Sequence, residues 1–343
     1  MIVDIEQFFS LRDSLPLVDV RSEKEFGEGH IANAYNIPIL NNAERTAVGT
    51  DYKQKGQLEA IKTGFRLVGP RIIDLVNETE MIAPAREVLV HCWRGGMRSS
   101  NFCHFVGMAK IRTHQLKGGY KAYRHKALES FRSPFNFILL GGSTGSGKTD
   151  VLRELKRSGE QVIDLEKLAN HKGSVFGGMM MPDQPTTEQF QNNLFEELLK
   201  LDPHRRVWIE DESIAIGKIF IPQDLWRRMN QSPIVEMQVD KDVRIKRLVH
   251  EYGPADQAEF LSGMEKITKR LGGQHFKLAK QALLEGAMAS TIEILLTYYD
   301  KAYAAGLSAK QERVVHRLPW NGEDISSFAS QLASGMSLNI QSH

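Results

Sequence analysis

The sequence predicts an α/β protein made of two parallel-sheet domains in tandem, on three observations. Short apolar runs of strand length alternate with helical patterns along the chain, the order that produces parallel sheets covered by helices. Twice such a run opens directly into a glycine-rich loop and then a helical pattern: Glu87 to His91 before Gly95-Gly96, and Phe135 to Leu140 before Gly142 to Gly147. Between them stands Ser133-Pro134, and proline disfavours helix in the residue before it, so a helix should end there. A length of 343 residues is natural for two domains. The boundaries expected are 1–132 and 135–343, joined by a short linker.

In the first domain Leu17-Val18-Asp19-Val20 reads as a buried strand, Glu87–His91 as another and Ile111–Leu116 as a shorter one. Helical stretches lie between them, for example Arg98–Ala109. In the second domain a strand opens at Phe135, an apolar stretch covers Val162 to Leu165, and further strands are expected over Val207–Ile209 and Ile234–Val239. The last long helix is expected over Phe276–Tyr303, and the tail after Arg317 carries no pattern. Neither an internal repeat nor a low-complexity tract interrupts this order.

Composition narrows the function classes. Hydrophobic residues make up 41%, enough for proper cores, and charged residues 25%, ordinary for a water-exposed surface. With 44 Lys+Arg against 42 Asp+Glu, the formal net charge is +2. A polyanionic partner would therefore have to be held by a local patch, because the whole-protein field is weak. Cys92 and Cys103 are too few for a disulfide framework or a structural cysteine metal site. Reduced thiols suit a cytoplasmic setting. The first residues lack a basic stretch leading into an apolar one, and no apolar run is long enough to span a bilayer, so neither a signal peptide nor a membrane partner is expected.

The segment from Val88 through His91-Cys92-Trp93-Arg94-Gly95-Gly96-Met97-Arg98 to Ser100 reads as strand, tight loop and helix start. A thiolate is the nucleophile, yet a free thiol is mostly protonated at neutral pH. Backbone N–H groups curled around the sulfur and the positive end of the following helix favour the anion. Gly95 and Gly96 are expected to permit the backbone angles of such a nest. Arg94 and Arg98 add positive charge for an anionic substrate. A cysteine ending a strand is by default a small buried hydrophobe, and that reading suits Cys103, which sits in a helical run without glycines. The spacing of Cys92 and Arg98 also fits a cysteine phosphatase. Asp19-Val20-Arg21, Glu25-Phe26, Gly29-His30-Ile31 to Ile37-Pro38 and, beyond the loop, Leu116-Lys117-Gly118-Gly119-Tyr120 together resemble the signatures of rhodanese domains, in the expected order. That resemblance implies a sulfurtransferase-type fold with Cys92 as chalcogen carrier.

Gly142-Ser143-Thr144-Gly145-Ser146-Gly147-Lys148-Thr149 matches the P-loop pattern, preceded by a strand and followed by a helical pattern. The glycines let backbone N–H groups face phosphate oxygens, and the helix start adds its dipole. Lys148 supplies a mobile positive charge, and Thr149 can reach a Mg²⁺. Glu210, Asp211 and Glu212, at a strand end, are candidates for an acid that organises a metal; a solvated strand end is an equal alternative. Val239 to Arg247 resembles the strand-to-lid helix of small P-loop kinases, where Arg244 and Arg247 could reach phosphates; a solvated basic helix face is an equal alternative. The polar segment Asn170 to Gly178 is a candidate functional loop. Lys266 to His275 is a candidate contact for nucleic-acid backbone, or equally an ordinary basic helix end.

Rhodanese first and P-loop second, at this length, resembles the tRNA 2-selenouridine synthase family. Local strings add to the likeness: Val48 to Gln54, His91 to Ser99, Gly173-Ser174-Val175-Phe176-Gly177, Gln184-Pro185, and Ile209 to Ser213 with Ile216-Gly217. His171 stands where an arginine would be more readily expected. The resemblance implies a tRNA-modifying transferase that converts wobble 2-thiouridine to 2-selenouridine through S-geranyl-2-thiouridine, using geranyl diphosphate and selenophosphate. It implies tRNA as partner; no tightly bound cofactor is expected, no His/Cys spacing suggests a metal site of the protein's own, and whether a Mg²⁺ joins the P-loop is left open by the sequence. Phe176, Met179, Met180, Met181 and Phe190 could hold a geranyl chain, core packing being their default role. The alternative is an ATP-dependent small-molecule kinase fused to a sulfurtransferase.

Overall fold

The computed structural model describes residues 1–337. The chain divides into two compact units, Met1–Ser130 with Gln191–Asn193, and Phe131–Phe190 with Leu194 onward. The helix Gly119–Ser130 stops three residues before the Ser133-Pro134 pair.

The first unit is a five-stranded parallel sheet. Its strands are β1 (Ile2–Val3), β2 (Leu17–Asp19), β3 (Ala34–Asn36), β4 (Glu87–His91) and β5 (Arg112–Leu116), in the order β1-β5-β4-β2-β3. All four pairings are parallel. β4 is apolar on both faces because helices cover both, and Val88, Leu89 and Val90 are fully buried. Between β3 and β4 lies a pair of helices, Asn42–Lys55 and Gln57–Val68, that no strand-and-loop pattern foretold. The first is started by a capping box: Asn41 accepts from the Glu44 N–H, and Glu44 accepts from that of Asn41.

The second unit holds β6 (Asn136–Gly142), β7 (Gln161–Ile163), β8 (Arg206–Glu210), a small hairpin of β9 (Ala215–Ile216) and β10 (Ile219–Phe220), then β11 (Ile234–Gln238) and β12 (Val314–Pro319). The main sheet runs β12-β11-β6-β8-β7, again wholly parallel. In each unit the glycine-rich loop follows the middle strand of five, β4 in one and β6 in the other. That is the edge where open α/β sheets bind ligands, at the carboxyl ends of the strands.

Two expectations are corrected here. The expected helix over Phe276–Tyr303 is two helices, Gly273–Leu284 and Met288–Ser308, separated at Glu285–Ala287, where Gly286 takes φ +74°. The tail after Arg317 is structured: β12 continues to Pro319, and the helix Ile325–Ser337 follows. Trp320 stacks on Phe328 at 5.2 Å and donates its indole N–H to the Glu323 carbonyl at 2.6 Å. Both rings join the core formed by Ile138, Leu140, Trp208 and Val235. Truncating a buried aromatic of this size costs about 3–5 kcal/mol. Trp320→Ala should therefore lower the urea midpoint of unfolding by a corresponding margin; an unchanged midpoint would show that the tail contributes nothing to the core.

Candidate active sites

Cys92 follows β4 directly and is 3% exposed. Its Sγ lies 3.2 Å from Ser99 Oγ, in the first turn of the helix Met97–Met108. Burial alone would push the thiol up. The Ser99 hydroxyl, the backbone N–H groups of Ser99 and Arg94, and the Arg98 charge outweigh it, so the thiol ionises below its ordinary value. Gln115 donates to Ser99 Oγ at 3.1 Å and to the Gly95 carbonyl at 2.8 Å. Ser99 Oγ also lies 3.1 Å from the Gly96 carbonyl. The Ser99 proton can therefore turn to the sulfur when the sulfur is an anion. Cys103 goes the other way: burial raises it, as suits a packing residue.

The loop's shape is fixed by residues far away in sequence. Gly95 takes φ +65°, and a Cβ there would lie 2.6 Å from the Leu116 carbonyl oxygen. Gly96 is extended at φ −98°, with open space around it. Only Gly95 of the expected pair therefore needs to be glycine for backbone reasons. Gly119 presses on the loop so closely that a Cβ would collide with the Cys92 carbonyl. The Tyr120 N–H donates to that carbonyl at 2.8 Å, and the Lys121 N–H donates to Trp93 at 3.0 Å. Below the loop, Asp19 and Arg21 form a fully buried ion pair at 2.7 Å. Arg21 also donates to the Gly29 carbonyl at 2.6 Å and lies 3.9 Å over the Tyr120 ring. Burial works against ionising Asp19, yet neighbouring His91 and the Arg21 guanidinium hold it below the usual carboxylate range. The separate strings around Asp19, Gly29 and Tyr120 thus converge under one cysteine.

The two arginines expected to serve anions differ. Arg94 is exposed and meets no carboxylate among the described residues. Arg98 is engaged by Glu25, at 2.6 and 3.2 Å, and Glu25 also pairs with Arg45 at 2.9 Å. Arg98 therefore lends its field to Cys92 from a fixed position.

In the second unit Gly147 caps the helix Lys148–Arg157 in the left-handed region, at φ +84°. A Cβ on it would lie 2.6 Å from the Arg247 guanidinium. Lys148 Nζ donates to the Gly142 carbonyl at 2.8 Å, so its ammonium lies along the loop Gly142, Ser143, Thr144, Gly145, Ser146. Thr149 Oγ1 donates to Glu166 Oε2 at 3.0 Å. Glu166, in the first turn after Asp164, is the residue the sequence did not single out. Glu210 is fully buried; one oxygen accepts the Leu165 N–H at 2.9 Å, and the other has no hydrogen-bond partner among the described residues. Burial, with the Asp164 and Glu166 carboxylates nearby, raises Glu210 well above its ordinary value. Glu212 is pushed up to about 7 by burial and by Glu166, against the pull of Lys148. A Cβ on Gly173 would sit 3.0 Å from both Glu212 oxygens and 3.3 Å from Glu166, which brings the Asn170–Gly178 loop to the same place.

Several expected residues lie elsewhere. Asp211 pairs with Lys310 at 2.7 Å. Arg244 is locked to Asp300 at 2.7 and 2.9 Å and donates to the Thr144 carbonyl at 3.3 Å, so it braces the P-loop from behind instead of facing its anion. Arg247 pairs with Asp150 and lies 5.4 Å over Trp320. His171 is partly buried against Gly177 and Gly217 and is pushed down by that burial. Phe176, Met179 and Phe190 are core residues, Phe176 stacking on Phe260 at 4.6 Å; Met180 is exposed and Met181 half-buried. Among the described residues no three His, Cys, Asp or Glu side chains form a metal site.

An activated cysteine on a rhodanese-like sheet, in one chain with a P-loop backed by buried carboxylates, defines a two-unit group-transfer enzyme. Comparison with known proteins makes this specific. Residues 6–126 match the rhodanese-like domain, and residues 135–333 match the tRNA 2-selenouridine synthase AAA domain. The tRNA 2-selenouridine synthase of a Sulfurovum species is 33% identical over 93% of this chain and 95% of its own length. That of Shewanella denitrificans is 34% identical over 92% and 95%, and that of Serratia proteamaculans 35% over 88% and 90%. The chain belongs to the tRNA 2-selenouridine synthase family. A crystal structure of an N-terminal domain from Clostridium difficile 630 is 38% identical and covers 37% of this chain and 99% of that one, with a TM-score of 0.35.

Two outcomes test these geometries. In a Cys103→Ser background, Ser99→Ala should raise the Cys92 thiol and slow its alkylation by iodoacetamide several-fold near neutral pH; an unchanged rate would remove Ser99 from the donors. Glu212 ionises at about 7 in the folded chain and at about 4.3 when unfolded. Stability from this group is therefore lost as pH rises through that window, because the unfolded state releases its proton first. Glu212→Gln should be relatively more stable in urea at about pH 8 than at about pH 5; a pH-independent difference would contradict the placement.

Proposed function

We propose that the chain converts the 2-thiouridine at the wobble position of tRNA to 2-selenouridine in two steps divided between its units. The reading rests on one observation: a lowered-pKa cysteine cage and a P-loop cradle occur in one chain whose relatives are named for this product. In the first step the P-loop binds the diphosphate of geranyl diphosphate. The uridine sulfur attacks the terminal geranyl carbon, the carbon–oxygen bond breaks, and the base loses its N3 proton. Lys148 and the loop amides from Gly142 to Thr149 stabilise the departing diphosphate, the kind of preorganised donor set that favours charge developing in a transition state. A Mg²⁺ entering with the diphosphate would meet Thr149 and supply further charge neutralisation, its remaining ligands coming from phosphate and water. In the second step the selenium of selenophosphate attacks C2 of the base, the C2–S bond breaks and geranyl thiol leaves, and water cleaves the P–Se bond to release phosphate; Cys92 assists the displacement of the thiogeranyl group, and Arg94 is the open cation for the selenophosphate anion.

No helix of the described residues is long and apolar enough to cross a membrane. A cytoplasmic setting suits a tRNA substrate and two reduced thiols.

Mass spectrometry of tRNA nucleosides from cells grown with selenite tests the division. Loss of Cys92 (Cys92→Ala) should abolish 2-selenouridine and leave geranylated thiouridine to accumulate. Lys148→Ala should lose both nucleosides. Loss of both in the Cys92 variant would refute the division of labour. ATP turnover driven by a small acceptor, with nucleosides unaffected, would establish the kinase alternative in its place.

A further inference from the structure

A net charge of +2 leaves RNA affinity to a local surface. We propose that the corner formed by the helices Gln257–Lys266, Thr268–Leu271 and Gly273–Leu284 grips the RNA phosphate backbone. This rests on tRNA being the substrate, as proposed above, and adds where it is held.

The corner's orientation follows from what it buries. Phe260, Met264, Ile267, Leu271, Ala279 and Leu283 point inward and are buried. The helical period then turns Lys266, Lys269 and Arg270 outward, and all three are exposed, as are His275 and Lys277 on the next helix. Gly272, at φ +90°, makes the turn that brings these four cations and His275 onto successive turns of one corner. Lys266, Lys269, His275 and Lys277 meet no carboxylate among the described residues. Three exposed lysines on other helices are, by contrast, each paired: Lys55 with Asp51 at 2.8 Å, Lys62 with Glu59 at 2.7 Å, Lys200 with Glu197 at 2.6 Å. Arg270 approaches the Tyr298 hydroxyl at 3.5 Å and keeps its charge uncompensated. Glu265 is the exposed acid on the same turn.

Clustered cations without counter-charges repel one another, and an anionic partner relieves that repulsion. Their spread over three successive helices suits a run of phosphates, where a single bound anion would need them convergent. The corner is also joined to the P-loop region. Phe176 stacks on Phe260 and would lie 2.8 Å from a Cβ on Gly263, and the loop carrying Phe176 reaches Glu212 and Glu166 through Gly173.

The test is binding of an unmodified tRNA transcript by the full chain across a salt series, which needs neither co-substrate. Each lost phosphate contact removes about 0.7–0.9 from the slope of log affinity against log salt. The triple variant Lys266→Gln, Lys269→Gln, Arg270→Gln should bind at least tenfold more weakly at low salt, with a slope shallower by about 2. His275→Glu with Lys277→Glu should weaken binding further. A control with equal charge loss at paired lysines, Lys55→Gln, Lys62→Gln and Lys200→Gln, should bind as the parent does. Unchanged affinity and slope in the triple variant would overturn the proposal, as would an equal loss in the control. So would loss of binding to phosphatidylserine vesicles alone, with tRNA binding intact. Weakened tRNA binding by the triple variant, with no 2-selenouridine made even by the parent chain, would leave the surface standing and fail the chemistry instead.

Discussion

A chain that leaves the middle strand of a parallel sheet and turns at once into a helix has backbone N–H groups with no partner in either element. Both units face this constraint at the carboxyl edge of the sheet, after β4 and after β6. An anion is what satisfies such groups, and both loops are shaped to hold one. In the first unit the group they face is the protein's own sulfur, that of Cys92, whose thiol the amides of Arg94 and Ser99 help to lower. In the second the loop is left as a cradle with Lys148 folded along it. One topological necessity thus places a loop of open amides at the same edge of each sheet, one curled around the Cys92 sulfur and one lined by Lys148.

What surrounds each loop decides how the anion is treated. Around Cys92 the supporting groups are positive or donating: Arg98 held by Glu25, Ser99 oriented by Gln115, and the Asp19–Arg21 pair beneath. Around Lys148 they are carboxylates, and Glu166, Glu210 and Glu212 are all pushed up by burial and mutual repulsion. The packing follows the same logic: Arg244 braces the loop from behind through the Thr144 carbonyl, and Arg247 covers Gly147.

Both loops were legible in the sequence because their information is local: strand, glycines and helix start are consecutive. The fold class was legible for the same reason, since buried parallel strands such as Val88–Val90 read as continuous apolar runs. Glu166 was not legible, because an acid in the first turn of a short helix is ordinary; its role depends on β7 pairing with β8 and bringing it to Thr149. Arg98 and Arg244 looked available because sequence does not reveal that Glu25 and Asp300 lie opposite them. The tail escaped notice because its one strong signal is a stack between Trp320 and Phe328, eight residues apart across a turn.

The Asp19–Arg21 pair has a consequence for the life of the protein before it is finished. Its members are two residues apart in sequence, but the groups that make its burial tolerable lie further off: Gly29 supplies a carbonyl, and Tyr120 a ring face. A buried charge pair lacking such support is destabilising. A chain still emerging, with β5 and Tyr120 not yet in place, therefore gains nothing by closing around these residues. Until then Cys92 also lacks the Tyr120 and Gly119 contacts that shape its loop. The groups that lower this thiol, Ser99, Arg94 and Arg98, are made earlier, so what the last helix of the unit adds is the closed shape of the loop that holds them around the sulfur.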